Sequence, residues 1–253
     1  CLFGELTACQ EPDYADVVRE VLRDIGYDRP ELGLNAETCD IQVHFHPQSP
    51  DIARGVSHRA AEDTGAGDQG ILVGYACRET PERMPLPITL ANRLAKRLET
   101  VRREGVLPWL RPDGKAQVSV AYRDGVPAGI TTVVLSAQHD PDIAVDDLRE
   151  ALRQTVILPV LPPELVHEDT LLYINPTGRF VTGGPAADSG LTGRKPLADT
   201  YGSAARCGGG SLSGKDPTKV DRTGVYLARY LAKNVVEAKL AERCEVQLAY
   251  AIG

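Results

Sequence analysis

At 253 residues, 42% of them hydrophobic and 25% charged, the chain has the composition of a globular protein built as one large or two ordinary domains. A formal charge of −7 is wrong for a nucleic-acid-coating surface, and no apolar run approaches the roughly eighteen residues of a membrane span. With neither a basic leader nor an apolar signal core at its start, the chain is expected to be cytoplasmic. The six cysteines (Cys1, Cys9, Cys39, Cys77, Cys207 and Cys244) form no C-x-x-C pair and read as free thiols. The chain opens on Cys rather than Met and stops at VQLAYAIG, a strand-like run with nothing after it to pair it, so both ends are expected to continue.

In chain order, Val17, Val18, Val21, Leu22 and Ile25 mark a helix over Tyr14 to Ile25, which Gly26 ends. CDIQVHFHP alternates like a strand and puts His44 and His46 on one face; without a third nearby ligand they read as surface histidines. SPDIARGVSHRAAEDTGAGDQG reads as a loop and domain boundary. Leu90, Leu94, Leu98 and Val101 predict a second helix over Pro87 to Glu104, whose opposite face (Arg93, Lys96, Arg97, Arg102, Arg103) is expected to be solvated. AQVSVAYR and GITTVVLSAQ flank the Asp124-Gly125 turn signal and predict a hairpin. A third helix is expected over Asp142 to Ile157, then a short strand, LLYINP. Asp216-Pro217 reads as the N-cap and first residue of a long helix over Thr218 to Ala241. Strands and helices alternate with hairpins among them, which predicts mixed α/β or α+β layers.

Residues Asn175 to Arg222 stand apart. They hold ten of the 24 glycines and seven Lys/Arg against four Asp, a local charge of +3 that leaves −10 for the rest of the chain. A basic, glycine-rich island in an acidic protein suits a small polyanion, because backbone N–H groups and cations can then approach it closely. Within it, Gly209 to Asp216 (GGSLSGKD) follows the phosphate-loop pattern except at its last position, where Asp216 replaces the hydroxyl that would hold Mg²⁺. Lys215 and a following helix N-terminus still favour an anion; Lys219 adds a cation, and Asp221 a possible Mg²⁺ ligand.

NPTGRFVTGGPAADSGLTGRK and GGGSLSGKDPTKVDR resemble S-adenosylmethionine synthetases (methionine adenosyltransferases). GAGDQGILVGYA, LPWLRPDGKAQV and the ending AYAIG are similar to further signatures of that family, in the same order. The resemblance implies an α/β (α+β) fold of three similar β-rich units around a pseudo-threefold axis. It divides the chain into a partial N-terminal domain (1–56), a central domain (65–180) and a partial C-terminal domain (181–253). It implies Mg²⁺ and K⁺ as cofactors and a homodimer or homotetramer with active sites at the subunit interface, and it gives neither a nucleic-acid nor a membrane partner. The implied reaction is attack of the methionine sulfur on C5′ of ATP, with triphosphate leaving and then being cleaved to pyrophosphate and phosphate. Carried over by motif, Asp113, Lys115, Arg179, Phe180, Asp188, Arg194, Lys195, Ser211 and Lys215 surround ATP. Of these, Lys115, Arg194, Lys195 and Lys215 neutralise the departing triphosphate. Glu5, Arg54, Asp188 and Lys219 serve methionine, Asp221 is the metal-associated carboxylate, and Asp68 borders the site.

Several positions depart from the family pattern. The family's His-Pro-Asp-Lys segment and its acidic K⁺ ligand are expected before Cys1, and further strands after Gly253. Arg54 stands for a Gln, Phe3 for a Gly, Ala187 for a Gly, Cys207 for a His and Ser211 for an Ala. Two other readings follow from the residues: an ATP-dependent phosphotransferase or hydrolase, which would form ADP, and a catalytically dead subunit that regulates an active partner.

Overall fold

A computed structural model describes residues 1–56 and 65–253. In chain order the elements are β1 (Leu2–Glu5), α1 (Tyr14–Ile25), β2 (Val43–His46), α2 (Pro50–Val56), β3 (Gly70–Cys77), α3 (Leu86–Arg103), β4 (Leu110–Arg123) and β5 (Val126–His139). They continue with α4 (Val145–Leu152), β6 (Val166–Ile174), α5 (Pro196–Asp199), α6 (Val220–Glu237) and β7 (Arg243–Tyr250). The fold is mixed α/β, and the chain divides into two compact units, each assembled from separated segments.

The first unit comprises Cys1, residues 10–43 and residues 86–190. Its sheet has the order β4-β5-β6, with β4 antiparallel and β6 parallel to β5. Asp124 (φ 52°) and Gly125 (φ 77°) form the two-residue turn joining β4 to β5, the left-handed geometry that matches strand twist in a tight hairpin. A parallel neighbour needs a crossover, which α4 and the wide turn of helix over Arg153–Ile157 supply. Leu90, Leu94, Leu98 and Val101 of α3, with Leu148, Leu152, Val156 and Ile157, bury one sheet face against Ile130, Val133, Leu135 and Ala137. Asp13 caps α1 through hydrogen bonds from the Ala15 and Asp16 N–H groups, and Gly26 ends it at φ 101°.

The basic face of α3 is not simply solvated. Arg102 donates to the Ile25 carbonyl, Arg103 pairs with Asp24 and Glu99, and Arg97 donates to the Thr155 carbonyl. These arginines fasten α1 and the crossover to α3, satisfying carbonyls that helix ends leave open.

The second unit comprises residues 2–9, 44–85 and 191–253. β3 pairs antiparallel with β7, and α6 lies across them. The contact is very close: a Cβ on Gly74 would fall 2.0 Å from the Ala228 carbonyl carbon. Alanines at 228 and 232 and Val236 make the matching face of the helix.

Four further expectations need correction. The loop after β2 contains the helix α2; its SHRAAEDT portion lies outside the described residues. VQLAYAIG is not unpaired, because β7 ladders with β3 from Arg243 opposite Cys77 to Tyr250 opposite Gly70. The third helix starts at Val145 rather than Asp142. The long helix starts at Val220, since the Asp216 carboxylate is spent on a local turn, accepting from the N–H and hydroxyl of Thr218.

Candidate functional site

The residues singled out from the sequence fall into two sets, one in each unit. In the first unit, Asp113 and Lys115 lie on β4, with Arg179, Phe180 and Asp188 on the segment after β6. That segment is pinned to the sheet by buried polar residues. Phe180 exchanges hydrogen bonds with His139: its N–H donates to Nε2 of the buried ring, and its carbonyl accepts the His139 backbone N–H. The ring's Nδ1 lies 2.8 Å from the Asp140 carbonyl, which places the ring proton there. Gln138 and Arg111, both buried, donate to the Val181 carbonyl, and Arg111 is neutralised by Asp140 at 2.7 Å. Asp113 then accepts the Gly184 N–H at 2.9 Å.

Gly184 sits at φ 60°, and a Cβ there would come 2.2 Å from the Tyr27 hydroxyl oxygen, so this turn requires glycine. Beside the pinned segment, Lys115, Ser136, Asn175, Thr177 and Phe180 line a recess of about 200 Å³. Asn175, buried and at φ 40°, closes its base by bonding both the N–H and the carbonyl of Ala137. Asp188 is exposed, one turn after Gly184.

The second unit holds Glu5, Arg54, Asp68, Arg194, Lys195, Ser211, Lys215, Lys219 and Asp221. Gly208 to Gly210 lie flat against β3 and the start of α6. A Cβ on Gly208 would be 2.3 Å from the Ile71 carbonyl oxygen, and one on Gly209 2.5 Å from Leu72. Glycine at 208 is thus required by the β3 backbone, and at 209 and 210 by the side chains of Leu72, Asp221 and Lys215, whatever the loop binds.

Lys215 Nζ lies 2.5 Å from Asp221 Oδ2, and the Gly210 N–H donates to Oδ1 at 2.7 Å. Burial pushes the Asp221 carboxyl up, but the ammonium and the N–H outweigh it and hold the group below the usual range. Asp216 behaves alike. Burial raises it, Thr218 and Lys219 outweigh burial, and it settles at about 2. Arg222 donates to the Lys215 carbonyl, fixing the backbone beneath that lysine.

The GAGDQG segment joins this region through the Gly67 N–H, which donates to the Thr218 carbonyl; Asp68 beside it is exposed. Glu5 ends β1, exposed. Arg54 is 84% exposed, and among the described residues its ion-pair partner is Asp51 of its own helix, at 3.8 Å. Gln48, which sequence reasoning passed over, is held by Thr7 close to the end of the strand bearing Glu5.

The Gly209–Asp216 loop lacks the strand–loop–helix context of a phosphate-loop NTPase. Residues 196–199 and 202–204 before it are helical, and α6 begins only at Val220. Among the described residues no three His, Cys, Asp or Glu side chains group to hold a metal, His44 and His46 included. Lys115, Arg179, Arg194 and Lys195 are exposed, and none forms an ion pair among the described residues. No described helix is long and apolar enough to cross a membrane.

Two family models match in succession, the S-adenosylmethionine synthetase central domain over residues 63–180 and the C-terminal domain of the same enzyme over residues 182–253. The chain belongs to the S-adenosylmethionine synthetase family. A curated S-adenosylmethionine synthase from Desulfosudis oleivorans is 53% identical over 252 residues, 99% of this chain. The chain spans 65% of the length of that relative. Within the synthetase family frame, the cationic recess of the first unit belongs to the central-domain match and the Lys215–Asp221 loop to the C-terminal match.

Proposed function

We propose that this chain acts as a methionine adenosyltransferase, joining L-methionine to the adenosyl group of ATP with release of triphosphate and its cleavage to pyrophosphate and phosphate. Family membership supports the reaction. The observation that carries the site reading is a set of exposed cations that form no ion pair among the described residues, Lys115 within β4 and Arg179, Arg194 and Lys195 outside the strands. Sulfur brings its own lone pair, so displacement at C5′ needs alignment and stabilisation of leaving-group charge rather than a proton-abstracting base. Those cations, with Lys215, supply that stabilisation, and Phe180 and Asp188 hold the nucleoside. Glu5 and Lys219 hold methionine. Arg54 is assigned to the methionine carboxylate from its family position.

Mg²⁺ and K⁺ complete the proposal. Asp221 is a carboxylate beside the loop proposed to take polyphosphate, and Mg²⁺ commonly takes one or two protein carboxylates together with substrate phosphates; its oxygens are engaged by Lys215 and the Gly210 N–H, so it would take the metal only once Lys215 has turned to phosphate. When bound, the metal would offset the charge of the triphosphate. We further propose a homodimer or homotetramer in the cytoplasm.

The test is incubation with ATP, L-methionine, Mg²⁺ and K⁺, followed by product analysis. S-adenosylmethionine with pyrophosphate and phosphate is expected. ADP as the nucleotide product would identify a phosphotransferase instead, and binding of ATP without turnover would reject catalysis. The Arg54→Gln variant then reads the methionine site: a raised KM for methionine means that Arg54 grips the carboxylate, a lowered one that it obstructs.

A further inference from the structure

The lysine expected to meet phosphate is already occupied. Asp221 spends both carboxylate oxygens inside the loop, one on the Lys215 ammonium at 2.5 Å and one on the Gly210 N–H at 2.7 Å. The pair is largely shielded, with side chains 28% and 23% exposed. The contact depends on glycine: a Cβ on Gly210 would lie 2.8 Å from Oδ2 and 3.1 Å from Nζ, and one on Gly209 3.0 Å from Oδ1. Arg222 holds the Lys215 carbonyl, so the side chain can change partner while its backbone stays in place. By contrast, Lys115, Arg179, Arg194 and Lys195 pair with no carboxylate among the described residues.

We propose that Asp221 is an ionic latch on Lys215: in the free protein it holds the ammonium and closes the glycine loop, and a polyphosphate binds by taking Lys215 from it. The latch is a positioning device for the proposed polyphosphate site and rests on that reading. It makes binding an exchange of one ion pair for another, so Lys215 contributes less net affinity than the unpaired cations do. Its value is that the loop is neutral and ordered when empty, and that the products leave against a carboxylate waiting to recapture the lysine.

Asp221→Asn removes the charge while its amide oxygen still accepts from Gly210, so the loop keeps its anchor. Two readouts are made on the whole chain, each with and without tripolyphosphate and without divalent metal: calorimetric affinity, and the rate of Lys215 acetylation resolved by peptide mass spectrometry. The expected results are acetylation of the empty variant several-fold faster than wild type, tripolyphosphate binding about ten-fold tighter, and protection of Lys215 by the anion in both proteins. If the anion protects Lys215 in both but the two proteins agree within two-fold in affinity and in empty-state rate, the latch is wrong and the site reading stands. If the anion protects Lys215 in neither, the site reading itself fails. Asp221→Ser, judged by the same outcomes, replaces the first variant should that one lose its folded circular dichroism spectrum.

Discussion

Asp113 Oδ2 and the Gly184 N–H, 2.9 Å apart and separated by 71 residues, tie the strand that carries Lys115 to the turn that precedes Asp188. The bond is charge-assisted and partly buried, so its loss leaves a turn N–H without a partner. Asp113→Ala is expected to lower stability by about 1–3 kcal/mol in urea unfolding and to weaken ATP binding. Asp113→Asn, which keeps an acceptor oxygen, should recover most of both.

Ser211 presents the opposite situation. Its Oγ is shielded from solvent and has no hydrogen-bond partner among the described residues, and it packs where a Cβ on Gly193 would come within 2.6 Å of it. An unsatisfied buried hydroxyl costs on the order of 1 kcal/mol. Ser211→Ala should therefore raise the melting temperature of the ligand-free protein. In the presence of saturating ATP the gain should shrink if the nucleotide supplies the missing partner, a comparison that thermal unfolding can make directly.

Asp216 gives a pH signature. Its carboxyl falls from an ordinary 3.8 to about 2 in the folded chain, held there against burial by Thr218 and Lys219. A depressed carboxyl contributes stability that is fully present above the unfolded value and disappears as pH falls through the folded one. The side chain is 56% exposed, so solvent screening cuts the contribution to about 1 kcal/mol. Asp216→Asn should cost that amount at pH 7, progressively less below pH 4, and nothing below about pH 2, as read from denaturant midpoints.

Gly74 admits no side chain. A Cβ there would meet Ala228 and Arg229 backbone atoms at 2.0 to 2.3 Å, and backbone cannot rotate away as a side-chain tip can. Gly74→Ala must push α6 off β3, at a cost of about 3 kcal/mol. A melting temperature within a degree of wild type would show that helix and strand are less closely packed than described.

Much of the architecture was readable because local signals agreed. α1 carries its cap, its apolar spacing and its terminal glycine, and the Asp124-Gly125 turn announced the β4–β5 hairpin. Strand β3 left no alternation to read, since Leu72, Val73, Tyr75, Ala76 and Cys77 are all buried, and it follows a glycine-rich stretch that looks like loop. The start of α6 was misread because Asp216 has two local options, a helix cap or a turn, and Thr218, two residues on, takes its carboxylate for the turn. In the candidate site, motif residues could be picked out one by one. Gln138, His139 and Arg111, which hold the Phe180–Gly184 segment in place, could not, because their partners are up to 70 residues away. The one clue was a polar Gln-His-Asp run ending an apolar strand.

The small-residue seam between β3 and α6 reaches beyond stability. Ala228 stands seven residues, about 10 Å of helix, from Asp221, and at this separation from the strand the helix has no slack in which to slide or roll. The carboxylate on its first turn is in effect mounted on the sheet. Enlarging a side chain along the seam would tilt that mount and shift Asp221 against Lys215, so changes with no chemistry of their own would be heard as changes in how the loop handles anions.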